Sequence, residues 1–310
     1  MAVKALVKKL LHTAFMTGQQ FKLDILPRHF YSSIPDFREL RRDTSWKRPT
    51  SMYGIPGSDL DGQLAFAAEC CGAGRGTQAY ESRIHAVACE QNQAEGFGRV
   101  EANFLFCFII HIRPRKIIQA GSGVSTSVIL QAAAVAGYEP EIVCIDPYPT
   151  GYLERLSQQG KIRLIAKRAQ DVALEDLTAL AVNDLFFVDS THTVKPGSEV
   201  NRIILEVMPR LPSGCFVHFH DINFPYDYQS DLMKTLFFWG ETSLLHAFLT
   251  DNKRYRIAVA TSMLHYGKPR ELGALLPDYR PALMDHGLRV SPEHPFDKHI
   301  PTSVYLEVTS

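Results

Sequence analysis

Residues 115–126 read RKIIQAGSGVST, a short apolar run that passes through two glycines into a helical pattern. The adjacent β-branched residues Ile117 and Ile118 favour a pleated, buried strand. Glycine at 121 and 123 lets the backbone turn sharply, and a helix is predicted over 125–136. The same alternation repeats along the chain, with strands predicted at 115–120, 141–146, 162–166, 184–189, 214–220, 254–260 and 303–308, and further helices over 197–208 and 229–250. Five consecutive strand–helix units followed by two strands specify an α/β fold on a doubly wound, mostly parallel seven-stranded sheet. Such sheets bind ligands at the carboxyl ends of their strands.

The first strand end suggests a nucleotide. Gly121 and Gly123 allow close approach of a ligand to the backbone, and the helix that opens near Ser125 and Thr126 offers unpaired N–H donors. The second strand ends in Asp146, 25 residues after Gly121, where a carboxylate grips two ribose hydroxyls. A dinucleotide oxidoreductase would carry a third glycine at the position of Thr126.

In these residues the chain resembles the class I S-adenosylmethionine (SAM)-dependent methyltransferases, whose core is Rossmann-like. The likeness is strongest to a branch with a GSGxST loop, here Gly121 to Thr126, a VDSTH segment, Val188 to His192, and an HFHD segment, His218 to Asp221. It covers roughly residues 100–260. It implies SAM as cofactor, bound by Gln119, Gly121, Ser122, Gly123, Ser125, Thr126 and Asp189, with Asp146 on the ribose and Gln170 and Asp171 on the adenine side. Gln119 stands where the family has an acid; it hydrogen-bonds but lacks the charge that attracts an ammonium.

Strand four ends in Asp189-Ser190-Thr191-His192 and strand five in His218-Phe219-His220-Asp221. Neighbouring strands bring these ends together, with His218 and His220 on one face by period-2 alternation. Asp189, His192, His220 and Asp221 then converge as a divalent-metal site or as an acid/base cluster. The same positions resemble metal-dependent O-methyltransferases of the catechol and macrolide-sugar kinds. That resemblance implies Asp189 and Asp221 as metal ligands, with His220 in place of an oxygen ligand, so that Mg²⁺ competes with Mn²⁺, Fe²⁺ or Zn²⁺. It makes His192 the general base, an ordinary imidazole pKa of about 6.5 suiting that task, with His220 the next candidate. Lys195, Asn201 and Asn223 lie near the same rim.

The remaining sequence bounds these readings. The 310 residues are 45% apolar and 21% charged, with 33 basic and 33 acidic side chains, an ordinary globular composition. Zero net charge argues against a nucleic-acid partner. Six cysteines without metal-finger spacing read as free thiols in a reducing compartment, hence a cytoplasmic protein. No apolar run is long enough to span a membrane. Residues 1–100 read as a helical and loop extension, a lid or oligomer contact, and 101–310 as the catalytic domain, with an insertion at 261–302. The first helix, with Lys4, Lys8 and Lys9 around Leu6, Val7, Leu10 and Leu11, reads as a packing or dimer-forming segment ahead of a transit peptide or membrane-surface helix, which leaves a homodimer open while the sequence does not identify the oligomeric state. Residues 28–35 suit a lid, the glycines of 71–77 a flexible loop, and Phe237, Phe238 and Trp239 the core side of a helix.

Methyl transfer to a hydroxyl of a small molecule is the expected activity. Two alternatives stay open: transfer or cyclisation of the aminocarboxypropyl group, which the uncharged Gln119 admits, and a non-catalytic SAM-binding partner.

Overall fold

A computed structural model describes residues 2–75, 83–228, 232–276, 278–279 and 301–309. The chain divides into two compact units, Met1–Thr44 and Ser45–Ser310. The first holds a helix, Ala2–Gln20, and a short helical turn, Phe37–Arg42.

The second unit is the seven-stranded sheet: β1 (Lys116–Ala120), β2 (Glu141–Ile145), β3 (Arg163–Ile165), β4 (Leu185–Val188), β5 (Phe216–Phe219), β6 (Tyr255–Ala260) and β7 (Val304–Val308). Their order is β3-β2-β1-β4-β5-β7-β6. Ile117 of β1 lies opposite Ile142 of β2 and Leu185 of β4, all parallel; β7 enters antiparallel, pairing Tyr305 with His218 of β5. Order reverses between β1 and β4, and there the carboxyl ends leave a crevice.

Central strands are buried on both faces, and so β4 is the unbroken apolar run Leu185-Phe186-Phe187-Val188. On one face the helix Arg99–Ile112 sets Phe108 4.7 Å from the Tyr305 ring and 5.3 Å from Phe216. On the other, Ile203, Ile204 and Val207 pack with Phe186, Val217 and Phe219.

Three expectations are corrected. The boundary falls at Thr44/Ser45 rather than near residue 100, because the helices Leu60–Arg75 and Ile84–Asn92 bury Ala67, Cys70, Cys71, Ile84 and Ala88 in the core under the sheet. The glycines at 72 and 74 lie inside the first of these helices. A Cβ on Gly74 would sit 2.7 Å from the Cys107 sulfur, so glycine there serves close helix packing; Gly76 and Thr77 lie outside the described residues. The helix expected over 229–250 is two pieces, Leu232–Thr235 and Glu241–Leu249, separated by Leu236 at positive φ, with 229–231 outside the described residues. Phe237 is therefore exposed rather than core. Of the insertion 261–302, two helices, Thr261–Gly267 and Pro269–Leu275, are described; 277 and 280–300 lie outside.

Gln63 ties the helical layer to β6. Its amide accepts the Ala260 N–H at 3.0 Å and donates to the Gly57 carbonyl at 2.9 Å, in full burial. Gln63→Leu leaves both backbone groups unpaired, and urea denaturation is expected to register a loss of about 1–3 kcal/mol.

Candidate active site

The loop after β1 is built by its own side chains. Thr126 Oγ1 accepts the Gly123 N–H at 3.2 Å and donates to Gln119 Oε1 at 2.8 Å, while Gln119 Nε2 donates to Ser125 Oγ at 3.2 Å. All three side chains are buried, so Gln119, Ser125 and Thr126 form the floor of the loop and do not line its opening. Gly121 has φ +86°, and a Cβ there would run into the Asp189 carbonyl oxygen. Gly123, at φ +153°, is different: the nearest atom to a Cβ is Asn92 Oδ1 at 3.8 Å, which leaves open space above the start of the helix Val124–Ala136. That space is a cradle which a side chain would fill.

Asp146, just past β2, borders the cradle. The Ser122 N–H donates to one carboxylate oxygen at 3.2 Å and the Tyr148 N–H to the other at 2.8 Å, so the group is aimed while retaining lone pairs for ribose hydroxyls. Tyr148 is 89% exposed beside it. Gln170 donates to the Gly197 carbonyl, and its own Oε1 is buried without a partner, an acceptor left for a ligand. Asp171, expected on the adenine side, has both its oxygens paired with Arg168, at 2.7 and 3.1 Å. The cradle, Asp146 and the unpaired Gln170 oxygen fit SAM.

The second cluster forms at the ends of β4 and β5. His192, at φ +57°, turns its ring so that Nδ1 meets Glu241 Oε2 at 2.7 Å, while Nε2 lies 3.6 Å from an oxygen of Asp189 and of Asp221. His220 Nδ1 is 3.5 Å from Asp189 and 3.6 Å from Asp221. Strand alternation alone would aim Asp221 away from His220; its positive φ of +57° brings the carboxylate back. Thr302 Oγ1 donates to Asp221 at 3.0 Å, and the Thr302 N–H donates to Glu101 at 3.0 Å. Asp189, His220 and Asp221 open on a cleft of about 690 Å³ whose far wall carries Phe97, Arg99 and Glu101. His218 takes no part: fully buried, it stacks on Phe187 and bonds Ser303. Lys195 and Asn201 keep to their own loop, Asn201 donating to the Lys195 carbonyl.

Charge organises the cluster. Burial alone would pull His220 down, but Asp221 and Asp189 push it up to about 10. Burial likewise opposes the charge on Asp189, and the His220 and His192 imidazoles overcome this and hold it down at about 2. His192 is raised: the Glu241 hydrogen bond and charge, with Asp221 and Asp189, outweigh its burial. The ordinary histidine value expected for it is thereby corrected.

The metal site expected at Asp189, His220 and Asp221 is not shown. Among the described residues no three His, Cys, Asp or Glu side chains are arranged to hold one ion.

Residues 118–222 match the sequence profile of a family described as a methyltransferase domain. Within the chain, these residues form a methyltransferase domain. An uncharacterized protein of Archaeoglobus fulgidus is 31% identical over 182 residues, which span 57% of this chain and 80% of that protein. Similar solved structures include a methyltransferase of Podospora anserina bound to S-adenosylhomocysteine, 14% identical over 92% of this chain and 100% of that one, with a TM-score of 0.40. Another is the plantazolicin methyltransferase BpumL with a triazolic substrate analogue and S-adenosylhomocysteine, 12% identical over 81% of this chain and 100% of that one, with a TM-score of 0.41.

Sequence reasoning missed Glu241, Trp239, Glu101, Thr302 and Tyr148. Trp239 lies 4.5 Å from His192, ring to ring, and only the break in the helix puts it there.

The histidine–carboxylate cluster makes the stability of the protein depend on pH. Because His220 is raised above its ordinary 6.5, its contribution is complete below 6.5 and is lost as pH rises through about 10. Asp189, lowered below 3.8, contributes above that value and loses its contribution as pH falls through about 2. His220→Gln is expected to flatten the alkaline loss, read from unfolding free energies measured between neutral pH and pH 10.

Proposed function

We propose that the protein is an O-methyltransferase acting on a hydroxyl of a small molecule held in the cleft of Asp189, His220 and Asp221. One observation carries this reading: the acceptor cluster abuts the cofactor loop, the Asp189 carbonyl lying where a side chain on Gly121 would be. SAM, when bound on that loop, supplies an electrophilic methyl group. The protein's share is alignment and one base, since in-line displacement is governed chiefly by positioning.

Asp146 holds the ribose, and the open backbone at Gly123 admits the cofactor. Asp189 and Asp221 accept a hydrogen bond from the acceptor hydroxyl and orient it. His192 takes its proton at Nε2. Glu241 fixes the proton-bearing nitrogen as Nδ1, so that Nε2 is the basic atom facing the carboxylates, the logic of a carboxylate–histidine pair. His220, protonated, faces both carboxylates and keeps Asp189 ionised.

The reading is tested by product and by pH. Turnover is expected to yield S-adenosylhomocysteine; release of methylthioadenosine would instead select aminocarboxypropyl transfer. Asp146→Ala is expected to weaken S-adenosylhomocysteine binding, measured by calorimetry, by about 1.5–3 kcal/mol.

His192→Ala is expected to lower kcat by about 10²–10⁴-fold with cofactor affinity unchanged. The base is available only above the raised pKa of His192, so the acid limb of the kcat profile should lie above the ordinary 6.5 for histidine, and Glu241→Gln should move it to lower pH. An unmoved limb in Glu241→Gln would assign the base elsewhere.

A further inference from the structure

The helix Ala2–Gln20 carries Lys4, Lys8 and Lys9 and no acidic residue; the first acid of the chain is Asp24. At 100° per residue, Leu6, Val7, Leu10 and Leu11 share one face, and Lys8, Lys9 and His12 lie off it. The apolar face is open: Leu6 is 59% and Leu10 62% exposed, and nothing within the unit Met1–Thr44 covers them. Exposed apolar side chains continue past the helix at Phe21, Leu23 and Phe30, the last 94% exposed. Solitary exposed hydrophobes are ordinary, but a contiguous face of them on a cationic helix marks a binding surface.

We propose that this helix lies in the plane of an anionic phospholipid surface, its leucine face among the acyl chains and its lysines at the headgroups. Two features select a bilayer over a second copy of the chain. Self-pairing of the helix brings lysines together with no acid on either partner, whereas flanking charges of opposite sign stabilise paired helices; an anionic surface offsets all of them, and each basic residue near it contributes attraction. The apolar surface also continues off the helix, where it departs from the helical period that a helix–helix seam requires. A planar apolar phase takes both parts.

The test uses the full chain and two kinds of vesicle, phosphatidylcholine alone and phosphatidylcholine with a minority of phosphatidylserine, with bound protein read by co-sedimentation. Partitioning onto the anionic vesicles is expected to exceed that onto the neutral ones by about ten- to hundredfold. Leu6→Asp with Leu10→Asp should abolish binding to both, and Lys8→Glu with Lys9→Glu should abolish the preference for the anionic lipid. Unchanged thermal unfolding and methyltransferase turnover in both variants would show that the fold is intact. Absence of vesicle binding, or equal binding to both vesicles, overturns the proposal. So does a dimer in analytical ultracentrifugation that Leu6→Asp with Leu10→Asp converts to monomer while the wild type ignores vesicles.

Discussion

The contact between Gly121 and the Asp189 carbonyl oxygen fixes the geometry on which the rest of the site depends. The Asp189 N–H donates to the Ala120 carbonyl at 2.9 Å, extending the β1–β4 pairing one residue past the strands. Gly121 then turns away at a φ that a side chain would strain and in a space that a side chain would fill. Because both strands are buried on both faces, their ends do not slide relative to one another. The opening of the cofactor cradle and the carboxylate that faces the cleft are therefore held in one frame, as alignment of a nucleophile with a methyl group demands.

Electrostatics complete what the backbone begins. Two carboxylates and two imidazoles within 3.5–3.6 Å contacts form a nearly balanced cluster, in which each histidine holds its proton more firmly than a free one and Asp189 gives its proton up more readily. The two histidines differ in their surroundings. His192 has a dedicated carboxylate behind it in Glu241 at 2.7 Å, which fixes its tautomer; His220 packs its ring against Phe97 at 4.9 Å and lies beside the shared carboxylates of Asp189 and Asp221. Under the proposed function, that asymmetry is the reason for giving proton transfer to the first and charge balance to the second.

The sheet was legible because its signal is local: short β-branched and aromatic runs alternating with helical periods recover all seven strands to within two residues. The two glycines and the four polar residues at the ends of β4 and β5 were legible because strand order brings them together. What escaped depends on tertiary contact. Glu241 and Trp239 were hidden in an apparently continuous helix, whose break at Leu236 answers to the loop after β4 rather than to propensity. Asp171 carries the right chemistry but lies three residues from Arg168, which captures it. The helices of residues 60–92 looked like an extension, since glycines at 72 and 74 mimic a loop; the space beside Cys107 is what requires the second.

Residues 85–101 show why the site cannot be understood from the nucleotide-binding half alone. The segment brings Phe97 onto His220 and leads into the helix whose first turn carries Glu101. Glu101 accepts the Thr302 N–H, and Thr302 in turn donates its hydroxyl to Asp221. A carboxylate two links away, on an element early in the chain, thus orients the carboxylate between the two histidines. Thr302 precedes β7, the one strand that runs against its neighbours, so its direction delivers this residue to the carboxyl ends of the parallel strands. Reversing β7 therefore does more than join β6 to the parallel strands: it brings the start of a strand, with its side-chain hydroxyl, to the end of the sheet where the parallel strands finish and the cleft opens.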